Sequence, residues 1–143
     1  MKILRVNVGD DGETFFDHAD WPLEPGDMAP PSPAGYVVTP RFAADGIRIM
    51  HTPAGYVDQW HPVPQRMFVI LLSGCLRLET TDGDHRIIET GGMFLNQDDQ
   101  GKGHRMMEVD GGAYDMALIH MSKTESVRDA SQSDLFHKPR RRL

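Results

Sequence analysis

The fold is decided by the segment GYVDQWHPVPQRMFVILLSG at residues 55–74 and by the shorter segment GKGH at residues 101–104. His61 and His104 lie in these two segments, far apart in the sequence, with short strand-like segments and turns between them. Side chains so far apart in the sequence can share a pocket only if the strands between them fold into closely packed sheets. The pattern therefore indicates a sandwich or a barrel.

Short β-type segments continue on both sides of these histidines. No stretch of ten or more residues has a helical stripe of apolar residues, and Asp82-Gly83 is typical of a tight two-residue hairpin. Regular short strands separated by turns favour an all-β fold. We predict strands at residues 36–38, 47–51, 67–72, 75–80, 85–89, 93–95, 104–109 and 114–121.

The two ends of the chain differ from this central region. Residues 1–8 alternate between apolar and polar, which predicts a strand that extends a sheet or swaps onto a partner. Residues 22–34 are too rich in proline for a helix or a central strand, and the sequence after Lys123 is polar. We expect an N-terminal arm and lead-in at 1–34, a barrel at 35–123 and a loose tail at 124–143.

Length and charge narrow the class of protein. The 143 residues suit one domain with a real core. The net charge of −6 is uneven, because four basic residues fall within 138–143 and the rest of the chain is strongly acidic. An acidic body argues against nucleic acid as the main partner, since basic surface dominates phosphate binding. The lone Cys75 and the lack of a long apolar run predict a cytoplasmic protein without a membrane partner.

The segment at 55–74 resembles the first signature motif of the cupin family, Gly-x5-His-x-His-x3or4-Glu-x6-Gly. Gly55, His61 and Gly74 match it. Val63 stands in place of the second histidine, and Met67 in place of the glutamate. Two of the four usual ligand positions are therefore changed.

The second cupin motif, Pro-Gly-Asp-x5-Pro-x-Gly-x2-His-x3-Asn, is matched loosely by residues 91–93 and 99–108. His104 is kept, Asp99 replaces the proline and Glu108 replaces the asparagine. Residues 60–67 and the Ser73-Gly74 pair also resemble a subgroup of small bacterial-type cupins without a settled function. The resemblance implies an all-β, cupin-type double-stranded β-helix, or jelly-roll barrel, that forms a homodimer and holds a metal or small ligand.

His61 and His104 are the main candidates for catalysis. Imidazole titrates near neutral pH, so either histidine suits proton transfer, and Arg66 could hold an anionic substrate through its guanidinium. The same two histidines are the candidate ligands of a divalent transition metal. A metal site needs at least three protein donors, so His51, His120 or water would have to complete it.

Further residues are candidates for ligand binding. Each has a structural alternative: Met67 suits copper(I) but is more often a core residue, and a histidine on a strand is more often hydrogen-bonded in the core. Lys102 could offer charge to an anion, while Gly101 and Gly103 more simply shape the turn before His104. The candidate ligand-binding residues are Trp60, Gln65, Met67, Met106, His51 and His120.

The sequence leaves three functions open. The first is binding of a small organic molecule with histidine acid–base chemistry, as in an isomerase, lyase or cyclase. The second is a metal-dependent oxygenase with an incomplete ligand set, and the third is a sensor or carrier that binds without turnover. No nucleophile, histidine and acid arrangement supports hydrolysis.

Overall fold

The computed structural model describes residues 1–26 and 35–122, and in these residues the chain forms strands and no helix. No segment of this described part could therefore span a membrane as a helix. The strands are β1 Lys2–Val8, β2 Thr14–Asp20, β3 Glu24–Pro25, β4 Val37–Val38, β5 Ala44–Thr52, β6 Met67–Ser73, β7 Cys75–Thr80, β8 His85–Glu89, β9 Met93–Asn96, β10 His104–Glu108 and β11 Tyr114–Met121.

The strands form two main sheets. The larger sheet has the order β2-β1-β9-β6-β11-β5, and the smaller has the order β10-β7-β8. His61 pairs with His104 and so adds the segment before β6 to the free side of β10. Without β1 and β2, the two sheets read β5-β11-β6-β9 and His61-β10-β7-β8. This is the order of two interlocked Greek keys, which confirms the expected jelly-roll fold.

The sequence located most of the strands correctly. β7, β8 and β11 have the expected bounds, and β6, β9 and β10 differ by one residue. β5 is longer than expected at both ends, and β4 loses its first residue. The turn that joins β7 to β8 contains Asp82-Gly83, but it is longer than the two residues expected. Glu79 pairs with His85 and Thr80 N donates to Asp84 O, which leaves a three-residue loop at 81–83. Gly83 has the positive φ of 91° that is typical of the last residue of such a loop.

The first strand extends the larger sheet of its own chain. β1 runs parallel to β9 and antiparallel to β2, a strand that the sequence analysis missed. The apolar alternation of β2 is weak, and an ion pair helps to hold it. The buried Arg5 donates through Nε to Asp17 Oδ1 at 2.7 Å and through Nη2 to Asp17 Oδ2 at 2.8 Å. Such bidentate pairs are strong because both hydrogen bonds are charge-assisted.

The hydrophobic core lies between the two sheets. Phe94, Leu71, Leu76 and Met116 are fully buried there, and Met67 belongs to the same cluster. This is the core role that we considered for Met67 in the sequence.

A second cluster covers the outer face of the larger sheet. It centres on Trp21, whose ring lies 4.5 Å from Phe42 and 5.4 Å from Phe68. Residues on both sides of the proline-rich segment thus anchor to the outside of the sheet. Residues 27–34 and the tail at 123–143 lie outside the described residues, so the domain boundaries stay a prediction.

Candidate functional site

The two histidines of the sequence motifs meet across one β-bridge. His61 N donates to His104 O at 3.1 Å, and His104 N donates to His61 O at 3.0 Å. Their ring centroids are 4.8 Å apart. The residue before His104 makes this approach possible, because Gly103 has a φ of 86° and a Cβ there would lie 2.0 Å from the His61 carbonyl carbon. The glycine therefore shapes the turn that brings the motifs together.

His104 lies in the interior. Its side chain is 1% exposed, and Nδ1 lies 2.6 Å from Oδ2 of Asp98, which is also fully buried. Among the described residues, His104 Nε2 and Asp98 Oδ1 have no hydrogen-bond partner. The hydrogen bond between the two side chains partly offsets the cost of burying them. His104 is thus held in place by Asp98 and shielded from solvent.

His61 has a different environment. Its side chain is 47% exposed, and Nδ1 lies 2.6 Å from the backbone oxygen of Gln59. A carbonyl oxygen only accepts hydrogen bonds, so Nδ1 carries the hydrogen and Nε2 is left as the nitrogen available to a ligand. Asp58 Oδ1 lies 3.5 Å from the same Nδ1. This arrangement orients the ring.

Asp58 is fixed by backbone donors on two segments. Gln59 N donates to Oδ1 at 2.9 Å, and Met106 N donates to Oδ2 at 2.9 Å. Each carboxylate oxygen therefore accepts a hydrogen bond from the backbone. The contact with Met106 ties the segment before His61 to β10.

Asp58 and His61 line a cavity of about 480 Å³ with mostly apolar walls, whereas His104 and Asp98 are not among its lining residues. A mostly apolar cavity with a few convergent polar groups is typical of a small-molecule site. Its lining residues are Met50, His51, Thr52, Pro53, Tyr56, Asp58, Gln59, His61, Met106 and Tyr114.

Tyr114 forms a buried part of the wall. Burial raises the pKa of the Tyr114 hydroxyl, and a hydrogen bond with Thr52 lowers it. The negative charges of Asp58 and Glu108 raise it further. Tyr114 therefore stays a neutral phenol at ordinary pH, able to hydrogen-bond a ligand.

The donors at this site do not fit a cupin metal. Val63 and Met67, at the two changed ligand positions, are buried in the hydrophobic core. Within residues 1–26 and 35–122, no group of three histidine, cysteine or carboxylate side chains is placed to hold a metal ion. His61 and His104 meet as expected, but the described part of the chain places no third protein donor beside them, and a metal site needs one.

His51 and Met106 line the same cavity as His61. The His51 side chain is 64% exposed, and its Nδ1 lies 2.6 Å from Asp115 Oδ1. The hydrogen bonds from His51 and then Ser73 lower the pKa of Asp115. His51 therefore lies at the exposed rim of the cavity.

Other predicted site residues lie elsewhere. Gln65 and His120 line a separate depression, where Gln65 Nε2 donates to Met121 O at 2.8 Å. Arg66, the next residue, is not among the residues that line the cavity with His61.

Trp60 belongs to a third depression, which it shares with Lys102 and Glu13. Lys102 forms an ion pair with Glu13, and the Arg105 guanidinium carbon lies 4.8 Å from the centre of a Trp60 ring. The cationic residues that the sequence offered for an anionic substrate are therefore not gathered around His61.

Three residues that line the cavity were not predicted as site residues from the sequence: Asp58, Gln59 and Tyr114. An Asp-x-x-His spacing before His61 is the signal that could have indicated Asp58. Tyr114 gave no such signal, because it begins β11 and reaches the cavity only through the fold.

Comparisons with solved structures give matches of low sequence identity. No protein-family model matches the sequence, and no curated protein matches it. The cupin domain of Schizosaccharomyces pombe Cnp3 is 12% identical with a TM-score of 0.47, covering 89% of this chain and 91% of that one. The protein NMB1881 from Neisseria meningitidis is 16% identical with a TM-score of 0.43, covering 71% and 84%. The jelly-roll fold of this chain is shown by the order of its own strands.

Proposed function

We propose that the protein binds a small organic molecule in the cavity beside His61 and that His61 transfers a proton to or from it. One observation carries this proposal: a half-exposed imidazole lines a largely apolar cavity with its Nδ1 hydrogen bound to a backbone carbonyl. Nε2 is then free to act on the ligand. A positioned histidine of this kind contributes about 100- to 10,000-fold to a proton-transfer step.

The neighbouring groups have distinct roles in this proposal. Nε2 of His61 removes a proton from the ligand and returns it at another atom, as in an isomerase, lyase or cyclase. Asp58 stabilises the imidazolium that forms in between, because its carboxylate lies 3.5 Å from Nδ1. His104 is a positioning residue, since its backbone holds His61 while its own ring is buried.

Ligand binding and proton transfer can be measured separately. A small-molecule library screened by ligand-observed NMR identifies compounds that bind, and incubation of these compounds in D₂O shows whether carbon-bound hydrogen exchanges. We expect His61→Gln to reduce the exchange rate at least 100-fold. His85→Gln, on an exposed residue at the start of β8, is the matched control. An exchange rate that is unchanged in His61→Gln would refute the role of His61.

Binding without turnover is the second candidate. It needs the same cavity but no reaction, and the lack of any exchange in bound compounds would favour such a sensor or carrier. The oxygenase that the sequence left open has less support, because the donors around His61 do not fit a metal ion.

The homodimer also remains a proposal. β5 forms an edge of the larger sheet, and its Ile47 and Ile49 side chains are each 65% exposed. Exposed apolar side chains on an edge strand suit pairing with a second copy. Sedimentation of the wild type and of Ile49→Lys tests this proposal, with dissociation expected for the variant. The cytoplasmic location stays a prediction.

A further inference from the structure

The cavity beside His61 combines a fixed negative charge with apolar and aromatic walls. Neither lysine nor arginine is among the described residues that line it. Asp58 is the carboxylate in the wall, and only 9% of its side chain is exposed. Because two backbone N–H groups bind its oxygens, the carboxylate is held in one position.

Glu108 provides a second carboxylate close to the Tyr114 part of the wall. Glu108 Oε1 accepts from Gly55 N at 2.9 Å, while Oε2 is buried without a hydrogen-bond partner among the described residues. The charges of Glu108 and Asp58 both raise the pKa of Tyr114. Two carboxylates therefore give this end of the cavity a negative potential, which the walls screen less than water would.

The rest of the lining suits alkyl groups and a cation. Met50, Met106 and Pro53 offer apolar and polarisable surface. The ring of Tyr56, which is 52% exposed, can face a ligand cation. Aromatic rings attract ammonium groups through their negative faces, and this attraction adds to that of a nearby carboxylate.

We propose that the ligand of this site is a small organic cation, either an amine in its ammonium form or a quaternary ammonium compound. The inference rests on the proposed function for the location of the site and adds the class of ligand. An anion would meet the Asp58 carboxylate without a lysine or arginine beside it in the described lining. An organic cation thus replaces the anionic substrate that we considered from the sequence. Lys102, which could have bound such an anion, forms an ion pair with Glu13.

Three probes of nearly the same shape separate charge from shape. Choline carries a trimethylammonium group, 3,3-dimethylbutan-1-ol is its neutral carbon analogue, and 3,3-dimethylbutanoate carries a negative charge. Titration into protein labelled with ¹³C at the methionine methyl groups locates the binding. Met50 and Met106 line the cavity, whereas Met67 is buried in the core and Met93 is not part of the lining, so these last two are internal controls.

We expect choline to shift the Met50 and Met106 methyl signals and to bind at least tenfold more tightly than the neutral alcohol. The butanoate should leave both signals unchanged. Asp58→Asn should remove the preference for choline without changing the affinity for the alcohol. If this variant fails to fold, Tyr56→Leu provides a second test, with a loss of about two- to fivefold for choline and no loss for the alcohol.

The outcomes distinguish the two proposals. Equal or tighter binding of the alcohol or the butanoate at Met50 and Met106 would overturn the cation inference and leave the cavity as a ligand site. A preference for choline that persists in Asp58→Asn would overturn it as well. If no probe shifts either methyl signal, the cavity fails as a site for ligands of this size and the inference fails with it.

Discussion

Gly103→Ala tests whether the close approach of the two histidine segments holds the site together. A Cβ at residue 103 would lie 2.0 Å from the His61 carbonyl carbon and 2.1 Å from its oxygen. Cβ atoms essentially never come within 3.0 Å of such atoms, so the two segments must separate by about 1 Å. The two backbone hydrogen bonds of the bridge, at 3.1 and 3.0 Å, would then be broken.

The magnitude follows from two terms. Placing a Cβ on a residue with a φ of 86° costs about 1–2 kcal/mol, and each lost hydrogen bond costs about 0.5–1.5 kcal/mol. Gly83→Ala is the matched control, because Gly83 has a φ of 91° but no atom lies within 4 Å of its added Cβ. Gly83→Ala should therefore lose only the free energy of unfolding that corresponds to the backbone strain at a positive φ. We therefore expect Gly103→Ala to lose about 1–3 kcal/mol more of the free energy of unfolding than Gly83→Ala.

Urea unfolding of the three proteins measures this difference, provided that their m-values agree. Amide hydrogen exchange adds a local measurement, since the N–H groups of His61 and His104 should lose protection in Gly103→Ala only. If the two alanine variants lose the same stability, or if the His61 amide keeps its protection, then the steric reasoning about this bridge is wrong.

Three further predictions concern the core and the buried charges. Asp98→Ala should lower the free energy of unfolding by about 3–5 kcal/mol, because it leaves a buried histidine without its partner; Asp98→Asn is the milder comparison, and equal small losses would contradict the buried pair. Met67→Ala should cost about 2–5 kcal/mol and Met67→Leu less than about 1.5 kcal/mol, whereas a similar loss in both would argue against a packing role. Burial opposes ionisation of Glu79, but hydrogen bonds from Arg105 and Arg77 outweigh it and lower its pKa. The stabilisation by this carboxylate is therefore complete above the ordinary glutamate pKa of about 4.3 and is lost as the pH falls through the lower folded-state pKa. The free energy of unfolding that Glu79→Gln loses relative to the wild type should therefore shrink in acid. A loss that does not change with pH would refute this.

The strands could be predicted because their signals are local. An Asp-Gly turn signal lies between β7 and β8, and β11 contains the apolar run of residues 116–119. β2 was missed because its position depends on Arg5, which lies on the neighbouring strand and pairs with Asp17. Propensity within residues 14–20 alone does not contain that information.

The site was predicted only in part, for a similar reason. The motif register was enough to bring His61 and His104 together. The Asp-x-x-His spacing could have indicated Asp58, but the backbone donor on β10 that fixes its carboxylate is evident only in the fold. Arg66 matched a family pattern but does not line the cavity, since its place in the fold and not its residue type decides what it can contact.

The burial of Val63 and Met67 has a consequence for any attempt to redesign this protein. Putting histidine at 63 and glutamate at 67 would restore the four side chains of the family motif, but it would also place two polar groups where aliphatic packing now stabilises the barrel. Each would cost free energy until an ion bound it. An engineered metalloprotein on this scaffold would therefore fold well only when loaded, and removal of the ion with a chelator would unfold it.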